Sequence, residues 1–493
     1  MTPETRAAIA FSRFGLGVTP TGYGGALSDP QAALKAELKA PPALSAELSP
    51  IQKDLAFSNA LPGSPELLVQ IRDYNQARRM MREKAADAEK PKEMSPNMMG
   101  DMAGGMSGDM TKPDPKRQMA DDTQKLPQAV LQAEGKARID AWMKAPIGFH
   151  ERLVMFWANH FAVSVDKGIP VRVLAGAYER EAIRPHVTGK FRDLLLAAER
   201  HPAMQTYLDN DASVGPNSQA NRNAKRGLNE NLAREILELH TLGVNGGYSQ
   251  ADVTSFAKVI TGWGVARTPR ALSDGESFQF NARAHEPGAH VVLGKTYADD
   301  GERQGVRVLE DLARHPATAK HIATKLVRHF VADQPPPALV DRLAKRFTDT
   351  DGDLTAVYTV LIDAPESWDA PRSKFRSPQE YLIALLRATG SPLPPQRLYQ
   401  TLRAMGQPLW QPPGPNGFSD MAAVWATPEG LSTRLDVTYQ FADRYAAKTD
   451  PRDFAEARLS GLITDATRKS VAQAETRAQG LSIVLLSPEF MRR

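Results

Sequence analysis

The sequence predicts a mainly α fold, one large multi-helix domain with a small irregular or hairpin element near residues 278–294, on three observations. Apolar residues recur at helical spacing in segment after segment, among them FHERLVMFWANHFAV, FRDLLLAAERHPAM, LNENLAREILELHTLG and ATAKHIATKLVRHFVA. One stretch interrupts them: FQFNARAHEPGAHVVLG, Phe278–Gly294, is rich in aromatics, Gly and Pro and ends in a β-branched pair, as a short hairpin or ordered loop does. No segment repeats at a fixed period, so a solenoid is not expected.

Taken in order, residues 1–79 alternate short helical patterns with Pro/Gly punctuation and read as an N-terminal helical layer. Residues 80–123 change to charged, Gly- and Met-rich text without apolar periodicity, which predicts a mobile insertion. Residues 124–390 form the helical core that carries the candidate pocket. A Pro-rich linker (GSPLPPQR), the Pro/Gly loop MGQPLWQPPGPNGF and a C-terminal helical block make up 391–493.

Composition narrows the function classes. With 42% hydrophobic and 24% charged residues, the chain has the balance of a soluble folded protein. Its 61 Lys+Arg against 57 Asp+Glu leave a net charge of +4, interleaved rather than bunched, so nucleic acid is not an expected partner. The absence of cysteine excludes disulfides, thiolate metal sites and cysteine nucleophiles. No apolar run reaches the roughly 18 residues of a membrane span. MTPETRAAIAFSRFGLG lacks the basic and apolar regions of a signal peptide, so the expected compartment is cytoplasmic.

The segment Leu228–Gly243 is the leading site candidate. At about 100° per residue, Leu228, Leu232, Ile236 and Leu239 share one arc. Asn231, Glu235 and Glu238 line one edge of it, Glu235 nearest the core, and His240 falls on the opposite edge. Partial burial raises a carboxyl pKa, so this stripe suits an acid/base group or a metal ligand. The plain structural alternative is a solvated face on which Glu230–Arg234 and Arg234–Glu238 form i,i+4 pairs, and Glu230 is best read that way. A second candidate is Trp157, Asn159 and His160 in VMFWANHFAV; a third is His285 in the non-helical stretch.

The catalytic expectation is therefore Glu235, His160, His285 and Glu238, with Trp157, Asn159, Asn231, Arg234, His240, Tyr248 and Trp263 contacting substrate. A divalent metal would have His160, His285 and Glu235 as ligands. None of these has HExxH spacing, so such a site needs distant segments brought together. Met94, Met98, Met99, Met102, Met106 and Met110 are soft thioethers suited to Cu(I), an accessory at most. The string DTDGDL is not a calcium loop, since its Gly comes fourth and Val360 stands at position twelve; Asp353 reads instead as a helix N-cap. GLGVTPTG lacks the strand and GKS/T ending of a phosphate loop.

SRFGLG, WANHF, NENLAREILELHTLGVNGGYSQADV with TGW, HEPG with LGK, ARHPATAKHIATKLVRHFV, FRSPQEY and GQPLWQPPGPNGF occur in that order, followed by Trp425 and Arg434. By these strings the chain resembles the bacterial "domain of unknown function 1800" family over nearly its whole length. Glu286 and His290 stand where the family pattern has Asp and Lys. The resemblance implies a large helical protein, often exported and often encoded beside a partner of the "domain of unknown function 1501" family, with no agreed activity. The expected function is a cell-envelope enzyme, hydrolytic and acid/base or metal-assisted, acting on carbohydrate or envelope polymer. The alternative is a non-catalytic helical partner of a 1501-family protein, which would also permit export to the periplasm on that partner's signal.

Overall fold

The computed structural model describes residues 1–39, 61–88, 115–222, 227–369 and 371–493. Helices dominate, as the periodicity predicts. Those that position the sites below are α1 (Pro3–Ile9), α2 (Pro30–Lys39), α3 (Ser64–Ala88), α4 (Pro115–Lys144), α5 (Phe149–His160), α6 (Ile169–Tyr178), α7 (Phe191–Arg200), α8 (Asn231–Glu235), α9 (Gln250–Val259), α10 (Pro316–Phe330), α11 (Pro337–Asp349), α12 (Leu354–Asp363), α13 (Pro378–Thr389), α14 (Pro428–Tyr445) and α15 (Pro451–Arg458). No helix among the described residues is long and apolar enough to cross a membrane.

Local chemistry sets the helix starts. Asp353 caps α12, its side chain accepting from the Ala356 N–H at 2.9 Å, as the sequence predicts. Ser377 and Glu380 form a reciprocal capping box at α13, with Pro378 at the first helical position. The start of α5 has no such neighbour, because Gly148 precedes it with φ 94°. Glu37 of α2 supplies the cap instead: its carboxylate accepts from the N–H groups of Ile147 (2.8 Å), Gly148 (3.1 Å) and Phe149 (2.6 Å).

One buried apolar cluster runs from Ile9 to Phe490. Within it Phe149 is fully buried, with Phe14 and Phe330 each 5.6 Å away between ring centroids. Burial of a ring of this size is worth about 1.5–3 kcal/mol. Polar ties join distant stretches of chain. Arg387 of α13, fully buried, donates to the carbonyls of Gly17 (3.0 Å), Trp142 (2.6 Å), Ala145 (2.7 Å) and Pro146 (2.7 Å), so the open end of α4 is satisfied from the far half of the sequence. Arg13 donates to Ser367 O at 2.6 Å, Thr5 to Gly461 O at 3.0 Å and Tyr23 to Ser460 O at 3.0 Å.

The non-helical element is present and is two hairpins rather than one. Strand β1 (Trp263–Val265) pairs antiparallel with β2 (Phe278–Phe280), Trp263 opposite Phe280. Strand β3 (His290–Val292) pairs with β4 (Lys295–Tyr297) across the two-residue turn Leu293–Gly294, both at positive φ (50° and 74°). Leu is unusual there. Its N–H donates to Asp252 Oδ1 at 2.7 Å, and Asp252 also closes the capping box of α9, so helix start and hairpin turn hold each other.

The expectation for residues 80–123 needs correcting at both ends. Residues 80–88 continue α3 and residues 115–123 begin α4. Polar text without apolar periodicity still contains strong helix formers, and Arg79–Glu83 adds an i,i+4 pair at 2.8 Å. The methionines Met94 to Met110 lie outside the described residues.

Candidate functional site

The stripe on α8 differs from its helical-wheel reading because the helix widens. After Glu235 the backbone enters a π-helical turn, Ile236–His240, whose extra residue per turn rotates everything beyond it. Leu237 is buried in place of Leu239, and His240 turns wholly into the core. Its Nδ1 lies 2.7 Å from Glu199 Oε1 of α7, both side chains fully enclosed. His240 therefore cannot contact substrate. Glu235 and Glu238 remain half-buried, and Tyr248 donates to Glu238 Oε2 at 3.1 Å. Burial, aided by nearby Glu238, raises the Glu235 carboxyl above the usual range against the pull of His240. Asn231 is exposed. Arg234 donates to Glu230 (3.1 Å) and Gln250 (2.9 Å), the solvated-face arrangement that was the plain alternative.

Two of the three predicted segments meet, at His160 and His240, whose ring centroids are 6.0 Å apart. His160 is buried, its Nε2 3.1 Å from His240 O, and burial first, then Lys325, holds its imidazole neutral. His285 has its Nδ1 2.9 Å from Thr261 O. No hydrogen bond or ion pair among the described residues joins Glu235 to either histidine. Among those residues no group of three or more His, Cys, Asp or Glu could hold a metal ion, so the expected metal set of His160, His285 and Glu235 is not assembled. Trp157 and Trp263 are core residues, not pocket walls: Trp157 donates to Tyr358 OH at 2.6 Å, and Trp263 lies under Gly305, where an added Cβ would meet its ring at 2.6 Å.

Asn159, one residue before His160, is different. It lines a partly enclosed cavity of about 60 Å³ between α5, α10, the start of α13 and the loop 407–420. Aromatic side chains form part of its wall, chiefly Trp410, Phe418, Phe375 and Trp425. Trp410 has φ 49°, a strained conformation for a bulky residue and one typical of ligand clamps. It is held there by the Val165 N–H, which donates to its carbonyl at 2.9 Å, and by its own indole, which donates to Glu179 at 3.0 Å.

The ionic groups of the cavity are locked in pairs. His329 of α10 lies with Nδ1 2.7 Å from Asp420 Oδ1, while Arg152 Nη2 reaches its Nε2 at 3.0 Å. Since Arg can only donate, Nε2 is the acceptor and Nδ1 carries the proton. Burial draws His329 down to about 4, against Asp420. Burial would raise Asp420, but His329 and Lys374 outweigh it and bring it to about 2. Glu380 faces Arg152 at 2.8 Å and Arg493 at 2.9 Å, which overcome burial and hold its carboxyl well below the usual range. What stays unspent is a mixed set: no hydrogen bond among the described residues uses Asp420 Oδ2, Gln379 Oε1 or Gln407 Nε2, although Gln379 and Gln407 position each other at 2.9 Å.

Sequence reasoning missed this site, Asn159 apart. Its parts come from WANHF, KLVRHF, FRSPQEY and GQPLWQPPGPNGF, strings that carried the resemblance but offered no acid/base spacing within any one of them. Neither the curated proteins nor the solved structures contain a match to the chain. A family model described as "Protein of unknown function (DUF1800)" matches residues 9–492, nearly the whole length, and the chain belongs to that family.

Proposed function

We propose that the chain recognises a small polyhydroxylated ligand, of the carbohydrate or envelope-polymer type, in the cavity bounded by Asn159, Trp410, Phe418 and Asp420. The observation that carries this reading is the division of labour in the lining. The charged groups are internally paired, whereas accessible amide and carboxylate atoms of both hydrogen-bonding senses remain unspent beside aromatic faces. Fixed second partners pre-organise such atoms and lower the ordering cost of binding. Recognition suits the cavity better than proton transfer, because His329 has both nitrogens engaged and Asp420 and Glu380 stay ionised at neutral pH. Calorimetric titration with a panel of envelope-derived oligosaccharides tests this. Saturable binding that weakens about tenfold in Q407A or W425A is expected, from the loss of one good hydrogen bond or stacked ring; no binding, or binding unchanged in both variants, refutes it.

A second reading, partnership with another protein, is favoured by one surface. Leu431, Leu435 and Tyr439 follow at i,i+4 spacing on α14 and are 41%, 41% and 48% exposed, with Met421 and Val424 also exposed close by in sequence. A 1501-family protein, the partner the resemblance implies, is the occupant to try. Co-purification lost in L435E/Y439E, with oligosaccharide binding intact, would support it; co-purification unaffected by those changes would remove it.

A further inference from the structure

Phe375–Ser377 separates two cavities. A single antiparallel bridge pairs Phe375 with Arg492, and the Arg376 N–H donates to Met491 O at 2.9 Å. Phe375 and Ser377 line the cavity described above, whereas Arg376 lines a second one, of about 20 Å³, on the other side. Tyr23, Arg372, Arg458 and Glu489 also face this smaller space.

Arg376 is 5% exposed, and its guanidinium makes no hydrogen bond or ion pair among the described residues. Its Nε is buried without a partner, and the guanidinium lies over the Phe490 ring, 5.5 Å from its centroid. A guanidinium has five N–H donors, and a buried unpaired charge is costly. The nearby carboxylates do not supply the missing acceptor. Glu380 is committed to Arg152 and Arg493, and Glu489 Oε1 accepts from Thr464 (2.6 Å) and Thr467 (2.9 Å), while Glu489 Oε2 is buried with no hydrogen-bond partner among the described residues and reaches none of these arginines. No ion pair among the described residues links Glu489 to these arginines. Arg372 spends Nη2 on the carbonyls of Glu489 and Arg492, and Arg458 spends Nε on Ala388 O, so each retains donors. Burial pushes the Tyr23 phenol up to about 12, so it adds no negative charge. Three cations and one carboxylate thus share a space that exceeds the roughly 10–15 Å³ needed for one water.

We propose that this cavity binds a small inorganic oxyanion, phosphate or sulfate, between Arg376, Arg372 and Arg458. The guanidinium fork matches an oxyanion edge better than it matches a spherical halide. A bound anion would also relieve the strain that burial and Arg372 place on Arg376, whose pKa they pull down to about 9.

Thermal unfolding of the full chain in sodium phosphate, sodium sulfate and sodium chloride at matched ionic strength tests the site. A rise in melting temperature that saturates below about 10 mM oxyanion, with no equal effect of chloride, is expected, since general salt effects do not saturate in that range. The rise should vanish in R376M, and the apparent affinity should weaken about tenfold in R458Q. Should R376M fail to fold, R458Q decides. An equal effect of chloride, no saturable rise, or an oxyanion effect unchanged in R458Q overturns the proposal.

Discussion

Asn159 and Phe418 hold each other through two hydrogen bonds: Asn159 Nδ2 donates to Phe418 O at 2.8 Å, and the Phe418 N–H donates to Asn159 Oδ1 at 2.7 Å. This amide-to-backbone clamp ties the irregular 407–420 loop to α5. Asn159→Ala should destabilise by about 1–3 kcal/mol, because two part-buried backbone groups lose their partners. It should also open the loop to proteolysis near Gly417. Urea denaturation and peptide mapping after limited digestion check both; unchanged stability and cleavage would mean that the loop is held by other contacts.

Gly417 makes the same clamp sterically demanding. At φ 74°, an added Cβ would lie 2.3 Å from Asn159 O, which is backbone and cannot swing aside. Gly417→Ala should therefore cost about 1–3 kcal/mol and displace the loop. A substitution within about 0.5 kcal/mol of wild type, the range of inert surface changes, would contradict the close approach.

Glu380 neutralises Arg152 and Arg493 inside the protein. Glu380→Gln keeps the shape but leaves two buried cations facing an amide, and a loss of about 3–5 kcal/mol is expected on breaking a buried pair in this way. Chemical denaturation measures it. A cost below about 1 kcal/mol would place the pair in the class of surface bridges.

Acid should destabilise the protein well before its carboxylates titrate. Burial draws His329 and His321 each to about 4, against about 6.5 in an unfolded chain. A folded pKa below the unfolded one means that the unfolded chain takes up the proton first. The stability these residues contribute is then complete above about pH 6.5 and is lost as pH falls towards 4. At about 1.4 kcal/mol per pH unit over that interval, the two together amount to about 7 kcal/mol at most. Denaturation curves between about pH 7 and pH 4.5 should show falling stability, shallower in H321Q; a flat profile would show that these imidazoles are not held neutral.

Glu235 gives the opposite sign. Its folded pKa is raised, so ionisation penalises the native state, and stability is lost as pH rises through the folded pKa. Glu235→Gln should leave stability at neutral pH unchanged or higher. A clear loss would reveal a stabilising partner for the carboxylate; a gain would fit a group kept charged at the expense of stability, the usual mark of acid/base work.

The sequence announced the helices, the non-helical element after residue 278 and the Asp353 cap because each rests on local spacing or local hydrogen bonding. His240 was misplaced because a π-helical turn breaks the 100° rule at Ile236, and no residue type marks such a turn. The cavity could not be read for a different reason: Asn159, His329, Glu380 and Asp420 come from four segments and meet only through tertiary packing. Asn159 was picked out for its neighbours Trp157 and His160, both of which proved to be core residues. Arg376 gave no signal, since an arginine before Ser-Pro reads as a surface charge until its burial is seen.

The ties from Thr5 to Gly461 and from Tyr23 to Ser460 span 456 and 437 positions of sequence. During synthesis the N-terminal segment leaves the ribosome long before those partners exist, and at about 5–20 residues per second the wait is on the order of tens of seconds. Throughout it the apolar face of Ala8, Phe11 and Phe14, buried in the finished protein, has no native neighbours from the far half of the chain. The nascent protein should accordingly be a client of ribosome-associated chaperones, released only once the segment around Ser460 and Gly461 has emerged.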